Sequence, residues 1–96
     1  MKIRILHEAE LDLLDGYNFY ETQAFGLGDY FLDSLSADID SLHLYAMAHE
    51  VHFGYHRLLA RRFPFAIFYK TDGDMIEVWA ILDCRQDPKE ARSRLS

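Results

Sequence analysis

Gly54-Tyr55-His56-Arg57-Leu58-Leu59-Ala60-Arg61-Arg62-Phe63-Pro64-Phe65-Ala66-Ile67-Phe68-Tyr69-Lys70, the turn Thr71-Asp72-Gly73-Asp74, and Met75-Ile76-Glu77-Val78-Trp79-Ala80-Ile81-Leu82-Asp83-Cys84-Arg85-Gln86-Asp87-Pro88 form the stretch that decides the fold. Two runs rich in aromatic and β-branched residues flank a short turn containing Asp-Gly, the local chemistry of a β-hairpin. Side chains of a strand alternate between faces. On that rule Phe63, Phe65, Ile67 and Tyr69 share one face, and Ala66 and Phe68 the other. The second run divides into Ile76, Val78, Ala80 and Leu82 against Trp79 and Ile81. Both faces are apolar, so each requires a cover, and this chain is expected to supply at least one.

The chain has 96 residues, enough for one core and not two, so a single domain over residues 1–96 is expected. Apolar residues make up 50% and aromatic residues 15%, which excludes a disordered chain. A lone cysteine, Cys84, forms no internal disulfide, and Met1 leads into Lys-Ile-Arg-Ile-Leu without an apolar signal region, so a cytoplasmic location is expected. No apolar run approaches the ~20 residues needed to span a bilayer. The net charge of −6 is unevenly spread. Residues 1–54 carry two basic and ten acidic residues, a balance of −8, whereas residues 55–96 carry eight and six, a balance of +2. The sheet half is therefore mildly basic against an acidic helical half.

Outward from the hairpin, Lys2-Ile3-Arg4-Ile5-Leu6 alternates and suits an edge strand. Ala9, Leu13, Tyr17, Tyr20 and Ala24 recur at helical spacing, with Glu8 and Glu10 favouring the helix N-terminus. Gly16 reads as an internal weakness of about 1 kcal/mol relative to Ala. Gly26-Leu27-Gly28 breaks this helix, and Asp29 is the expected N-cap of the next, whose stripe is Leu32, Leu35, Ile39, Leu42 and Ala46. A helical hairpin of this kind needs the sheet as its base. His49 to Gly54 reads as a loop and Tyr55 to Ala60 as the strand before the central hairpin, with Arg61 and Arg62 at the bend. Asp87-Pro88-Lys89-Glu90 has the arrangement of a helix start, with Asp as cap and Pro at the first helical position. Ala91-Arg92-Ser93-Arg94-Leu95 follows as a short basic helix or a loose tail. The expected fold is α+β: an N-terminal strand, an antiparallel helical hairpin, then a three-stranded antiparallel meander completing a twisted sheet of about four strands, and a short C-terminal helix or tail.

This order of elements, with Gly-Tyr-His-Arg-Leu-Leu-Ala-Arg-Arg-Phe-Pro-Phe-Ala-Ile-Phe-Tyr-Lys at 54–70, Ala-Ile-Leu-Asp-Cys-Arg-Gln-Asp-Pro at 80–88, Phe19-Tyr20-Glu21 and Phe31, resembles the ParE/RelE superfamily of toxins from type II toxin–antitoxin modules. The resemblance covers nearly the whole chain and leans towards the ParE branch. It implies a cognate antitoxin lying across the toxin and growth arrest, with plasmid stabilisation among the roles of such modules. ParE-like members are described as inhibiting DNA gyrase by binding, which needs no catalytic set. RelE-like members are described as cutting mRNA on the ribosome without a metal, which needs proton-transfer groups and cations around the phosphorane. Here Arg57, Arg61 and Arg85 are the candidate cations and Tyr69, Tyr55 or His56 the candidate proton-transfer partners, because neither Tyr nor His occurs beyond Leu82. His56 and Gln86 stand where many relatives carry Arg, which thins the basic surface. An inactive relative that retains only the antitoxin-binding surface is a third reading.

The candidate target- or antitoxin-binding residues are Arg57, Arg61, Arg62, Phe68, Trp79, Ile81 and Arg85. The arginines form a cationic patch, or else pair with the acids of the helical half. Phe68, Trp79 and Ile81 form an apolar groove for a partner segment, or else ordinary core. His49, Glu50, His52 and His56 are one residue short of the His-Glu-x-x-His spacing that places two imidazoles on one helix face, so no metal and no cofactor are expected. Cys84 is expected to be a small buried filler.

Overall fold

The Asp-Gly turn does close a hairpin, with Gly73 at φ 58°. In the computed structural model, which describes residues 2–96, β4 (Phe65–Asp72) and β5 (Met75–Asp83) pair antiparallel from Asp72↔Met75 to Phe65↔Asp83. Around this pair the order is β1 (Lys2–Ile5), α1 (His7–Gln23), α2 (Leu27–Asp40), a single turn α3 (Leu42–Tyr45), β2 (Val51–His52), β3 (Tyr55–Leu59), β4, β5 and α4 (Pro88–Leu95). The sheet runs β1-β5-β4-β3-β2, with β1 parallel to β5 and the other pairs antiparallel. The expected α+β architecture is therefore present. It has a fifth strand, because Val51 and His52 in the expected loop pair with His56 and Tyr55.

One irregularity reassigns the faces. The register passes from Phe68↔Ala80 to Tyr69↔Val78, which leaves Trp79 as the extra residue of a β-bulge. Alternation slips by one at that point. Ile76, Val78 and Ile81 face the helices, whereas Ala80 and Leu82 lie on the opposite side with Ala66 and Phe68. Ile81, expected on the open face beside Trp79, is instead 2% exposed in the core beneath the helices. Strict alternation failed because a bulge leaves no mark in an apolar run.

The helix-side core joins Ala9 and Tyr20 of α1, Phe31, Leu35 and Ile39 of α2, and Leu42 to Ile67, Tyr69, Ile76, Val78 and Ile81. Gly16 is the contact point of the two helices and not merely a weakness: a Cβ there would lie 2.6 Å from Phe31 Cε2. A Cβ on Gly28 would likewise meet the Tyr17 ring at 2.8 Å. The expected cap at Asp29 is replaced by a longer-range device. Gly26 occupies the N-cap position with φ 86°, and the Glu21 carboxylate accepts from Gly26 N–H (3.0 Å) and Gly28 N–H (2.9 Å). One acidic side chain of α1 thereby satisfies donors at the start of α2 that would otherwise be orphaned.

The C-terminal segment resolves into helix. Asp87 caps α4 by accepting from Lys89 N–H at 2.9 Å, with Pro88 in the first turn. Leu95 at its far end is 5% exposed and packs with Tyr55, Ala66, Phe68 and Ala80. Arg94 makes a two-pronged ion pair with Asp12 of α1 (2.9 and 2.7 Å), which holds the guanidinium pKa above its ordinary value. Asp12 also accepts from Ile81 N–H at 2.9 Å. That donor lies on β5 just beyond the point where β1 gives way, marked by the bond from Leu6 N–H to Val78 C=O. A single carboxylate thus ties α1, β5 and α4 together.

Candidate binding site

Away from the helical hairpin the sheet carries a groove of ≈ 630 Å³. Ala66, Phe68 and Leu82 are among its lining residues on the sheet, α4 contributes Lys89 and Arg94, and Phe53 stands at the β2–β3 turn. Phe53 was not anticipated from sequence. It adopts φ 58° beside Gly54 at φ 84°, is 46% exposed, and its ring lies 6.5 Å from that of Phe68. An aromatic residue before glycine in a tight turn was the signal that could have found it, since a left-handed backbone at a bulky residue persists only where its surroundings hold it.

Arg57 projects into this groove from β3, opposite Phe68. It takes part in none of the ion pairs formed among the described residues. Its charge is felt by Cys84, which is exposed at the end of β5 and not the buried filler expected from sequence; partial burial of the thiol raises its pKa and Arg57 draws it back down. The raised thiol is a weak nucleophile. An anionic group entering the groove would meet this half-buried guanidinium alongside the acidic lining residues Asp83, Asp87 and Glu90. Phe68 itself is 4% exposed beneath this surface, and Trp79 is 37% exposed with its ring 5.8 Å from Tyr55. Lys70 Nζ lies over both rings, at 4.4 Å from Tyr55 and 5.4 Å from Trp79.

The remaining arginines are elsewhere. Arg61 and Arg62 occupy the exposed β3–β4 bend, where Arg61 N–H donates to the buried carboxylate of Asp38 at 3.2 Å and the side chain is left outside. Arg85 follows β5 and is held by Asp83 through Nε (3.0 Å) and Nη2 (2.7 Å), with a longer contact of 3.4 Å to Tyr20 Oη. Those bonds hold the Asp83 carboxyl below its ordinary range. The sequence therefore grouped four arginines that the fold separates into Arg57 on the groove face and Arg61, Arg62 and Arg85 at one end of the sheet.

Tyr69, a candidate for proton transfer, lies on the helix side instead. It is fully buried, its hydroxyl donates to Ala46 C=O, and burial pushes its pKa up to about 12. His56 stacks on Tyr69 with 5.2 Å between ring centroids, and its Nδ1 is 3.0 Å from His49 C=O. Tyr55 is 8% exposed. His52 Nε2 meets Glu50 at 3.3 Å. Among the described residues no group of three or more His, Cys, Asp or Glu is placed to hold a metal ion.

A helical hairpin on one face of a five-stranded mixed sheet, with an eight-residue helix half-closing a groove on the other face, defines the architecture. No protein-family model matches the chain, and no curated protein matches it. Among solved structures, a chain from the "Chromosomal ParDE TA system from P. aeruginosa" superposes with a TM-score of 0.70 at 19% identity, covering 84% of this chain and 92% of that one. The fold is the one found in that toxin–antitoxin system. No helix among the described residues is long and apolar enough to cross a membrane.

Proposed function

We propose that this chain is the toxin half of a type II toxin–antitoxin pair, that it arrests growth by binding DNA gyrase, and that a cognate antitoxin neutralises it by filling the groove around Arg57. The fold likeness to the P. aeruginosa ParDE chain supports the class. Support for binding over RNA cleavage comes from one observation: Tyr69, one of the three proton-transfer candidates, is sealed on the opposite side of the sheet from Arg57, with its hydroxyl already donating to Ala46. A general acid or base must reach the proton it moves, and its pKa must lie near the working pH. Tyr69 meets neither condition.

Induced expression in a growing culture should arrest growth and raise the SOS response while mRNA stays intact, and the purified protein should inhibit supercoiling by gyrase. Cleaved mRNA with untouched gyrase would replace this reading with the endoribonuclease one. Absence of any arrest would leave a chain that only binds an antitoxin. Coexpressing the product of the neighbouring reading frame should restore growth, and Arg57→Glu should weaken that rescue.

A further inference from the structure

A second surface, which meets the groove where Asp83, Cys84 and Gln86 flank Arg85, has the composition of a protein contact. At the end of the molecule where α1 turns into α2, Phe25 is 100% exposed, Phe19 49% and Tyr30 48%. The rings of Phe19 and Tyr30 join one cluster. Phe19 sets edge-on to Tyr20 at 5.1 Å, Tyr20 to Phe63 at 4.7 Å, and Tyr30 lies 5.6 Å from Phe63. Phe63 in turn follows the exposed Arg61 and Arg62, and Arg85 reaches Tyr20 from the other side. The turn that presents Phe25 is fixed by the two bonds from Gly26 and Gly28 to Glu21. A fully exposed phenylalanine on a turn fastened in this way gains nothing for the fold. As an anchor for another surface it sits on a backbone already held by these bonds, so binding would cost the freedom of its side chain and not that of the turn.

We propose that this aromatic and arginine end is the surface by which the chain grips its protein target, an acidic surface with an apolar rim. The inference rests on the reading of the chain as a gyrase binder. Large exposed aromatic residues and arginine are the types enriched where protein interfaces concentrate their binding energy. Arg61 and Arg62 supply guanidinium groups outside the ion pairs formed among the described residues, and Arg85 is held in a fixed orientation by Asp83. A nucleic acid fits this end less well, because Asp29 and Asp33, exposed on the same helix as Tyr30, would repel an unbroken row of phosphates, whereas a protein can place its carboxylates opposite Arg61 and Arg62 alone. Target and antitoxin would then occupy different regions of the toxin.

Binding of purified gyrase to the full-length protein tests this, with wild type, Arg61→Glu/Arg62→Glu, Phe19→Ser/Phe25→Ser and Arg57→Glu compared at equal melting temperature. The expected result is at least about tenfold weaker binding for both end-surface variants, and a wild-type association rate that falls with added salt. Wild-type binding retained in both end-surface variants but lost in Arg57→Glu would place the contact in the groove and overturn the inference while the gyrase reading stood. Wild type that fails to bind gyrase at all would overturn both. Tighter capture of labelled single-stranded DNA than of gyrase by the same end would overturn a protein contact.

Discussion

Against one face of the sheet α1 and α2 bring Tyr20, Phe31, Leu35 and Ile39, and against the other a helix of eight residues brings Leu95. The strands supply apolar side chains to both sides, so the asymmetry lies in the covers. The helix face is closed by interlocking shapes, with the Phe31 ring seated where Gly16 lacks a side chain. The groove face is closed by attachment at one end, through Leu95 and the Arg94–Asp12 ion pair. A helix as short as α4 is not stable alone in water, so its position depends on those contacts. The first face stabilises the fold, and the second keeps a groove beside Arg57.

The largest effect that separates the two faces should come from Phe31→Ala, which leaves a void among buried rings and should cost about 3–5 kcal/mol in urea denaturation. Gly16→Ala sharpens the same point by its sign. Helix propensity alone favours it by roughly 1 kcal/mol, yet the close approach to Phe31 makes a net loss the expected outcome, and a gain would show that the two helices are not locked there. On the other face Leu95→Ala should cost about 2–3 kcal/mol, read as early amide exchange confined to α4. A loss in Leu95→Ala equal to that in Phe31→Ala, with cooperative exchange throughout, would make the two covers equivalent and remove the contrast.

The sequence disclosed the hairpin, the helical stripes and the α4 cap because each is written locally, in Asp72-Gly73, in the three- and four-residue spacing of Leu35, Ile39 and Leu42, and in Asp87-Pro88. What it concealed arises from distance. The bulge at Trp79 is a relation between β4 and β5, and it moved Ile81 from the open face into the core. Gly16 reads as a defect until Phe31, on another helix, is placed against it. Arg57, Arg61, Arg62 and Arg85 appear as one patch along the chain, but strand direction and the β3–β4 bend divide them between two surfaces. Asp12 gave no sign of its connections to Ile81 and Arg94, which are 69 and 82 residues away. Local chemistry carries over to the fold, whereas a site assembled from several strands does not follow from it.

The smallest effect near neutral pH should belong to Tyr69→Phe, which removes one hydroxyl hydrogen bond worth about 1 kcal/mol. Its signature is instead in the pH dependence. Burial raises the Tyr69 pKa from 10.0 to about 12, so the folded state holds the proton more tightly than the unfolded chain. The resulting stability is fully present below pH 10 and is lost as the pH rises through about 12. Denaturation midpoints measured from pH 8 upwards should therefore fall more steeply in the wild type than in Tyr69→Phe. Tyr17 offers the control, because its pKa is raised first by the charges of Asp29 and Glu21, with burial the smallest of the three causes. Added salt should shrink the Tyr17 contribution and leave that of Tyr69 nearly intact, since mobile ions screen exposed charges far more than buried groups. Parallel curves for wild type and Tyr69→Phe would mean that solvent reaches Tyr69, and the helix-side cover would then be no tighter than the one formed by α4.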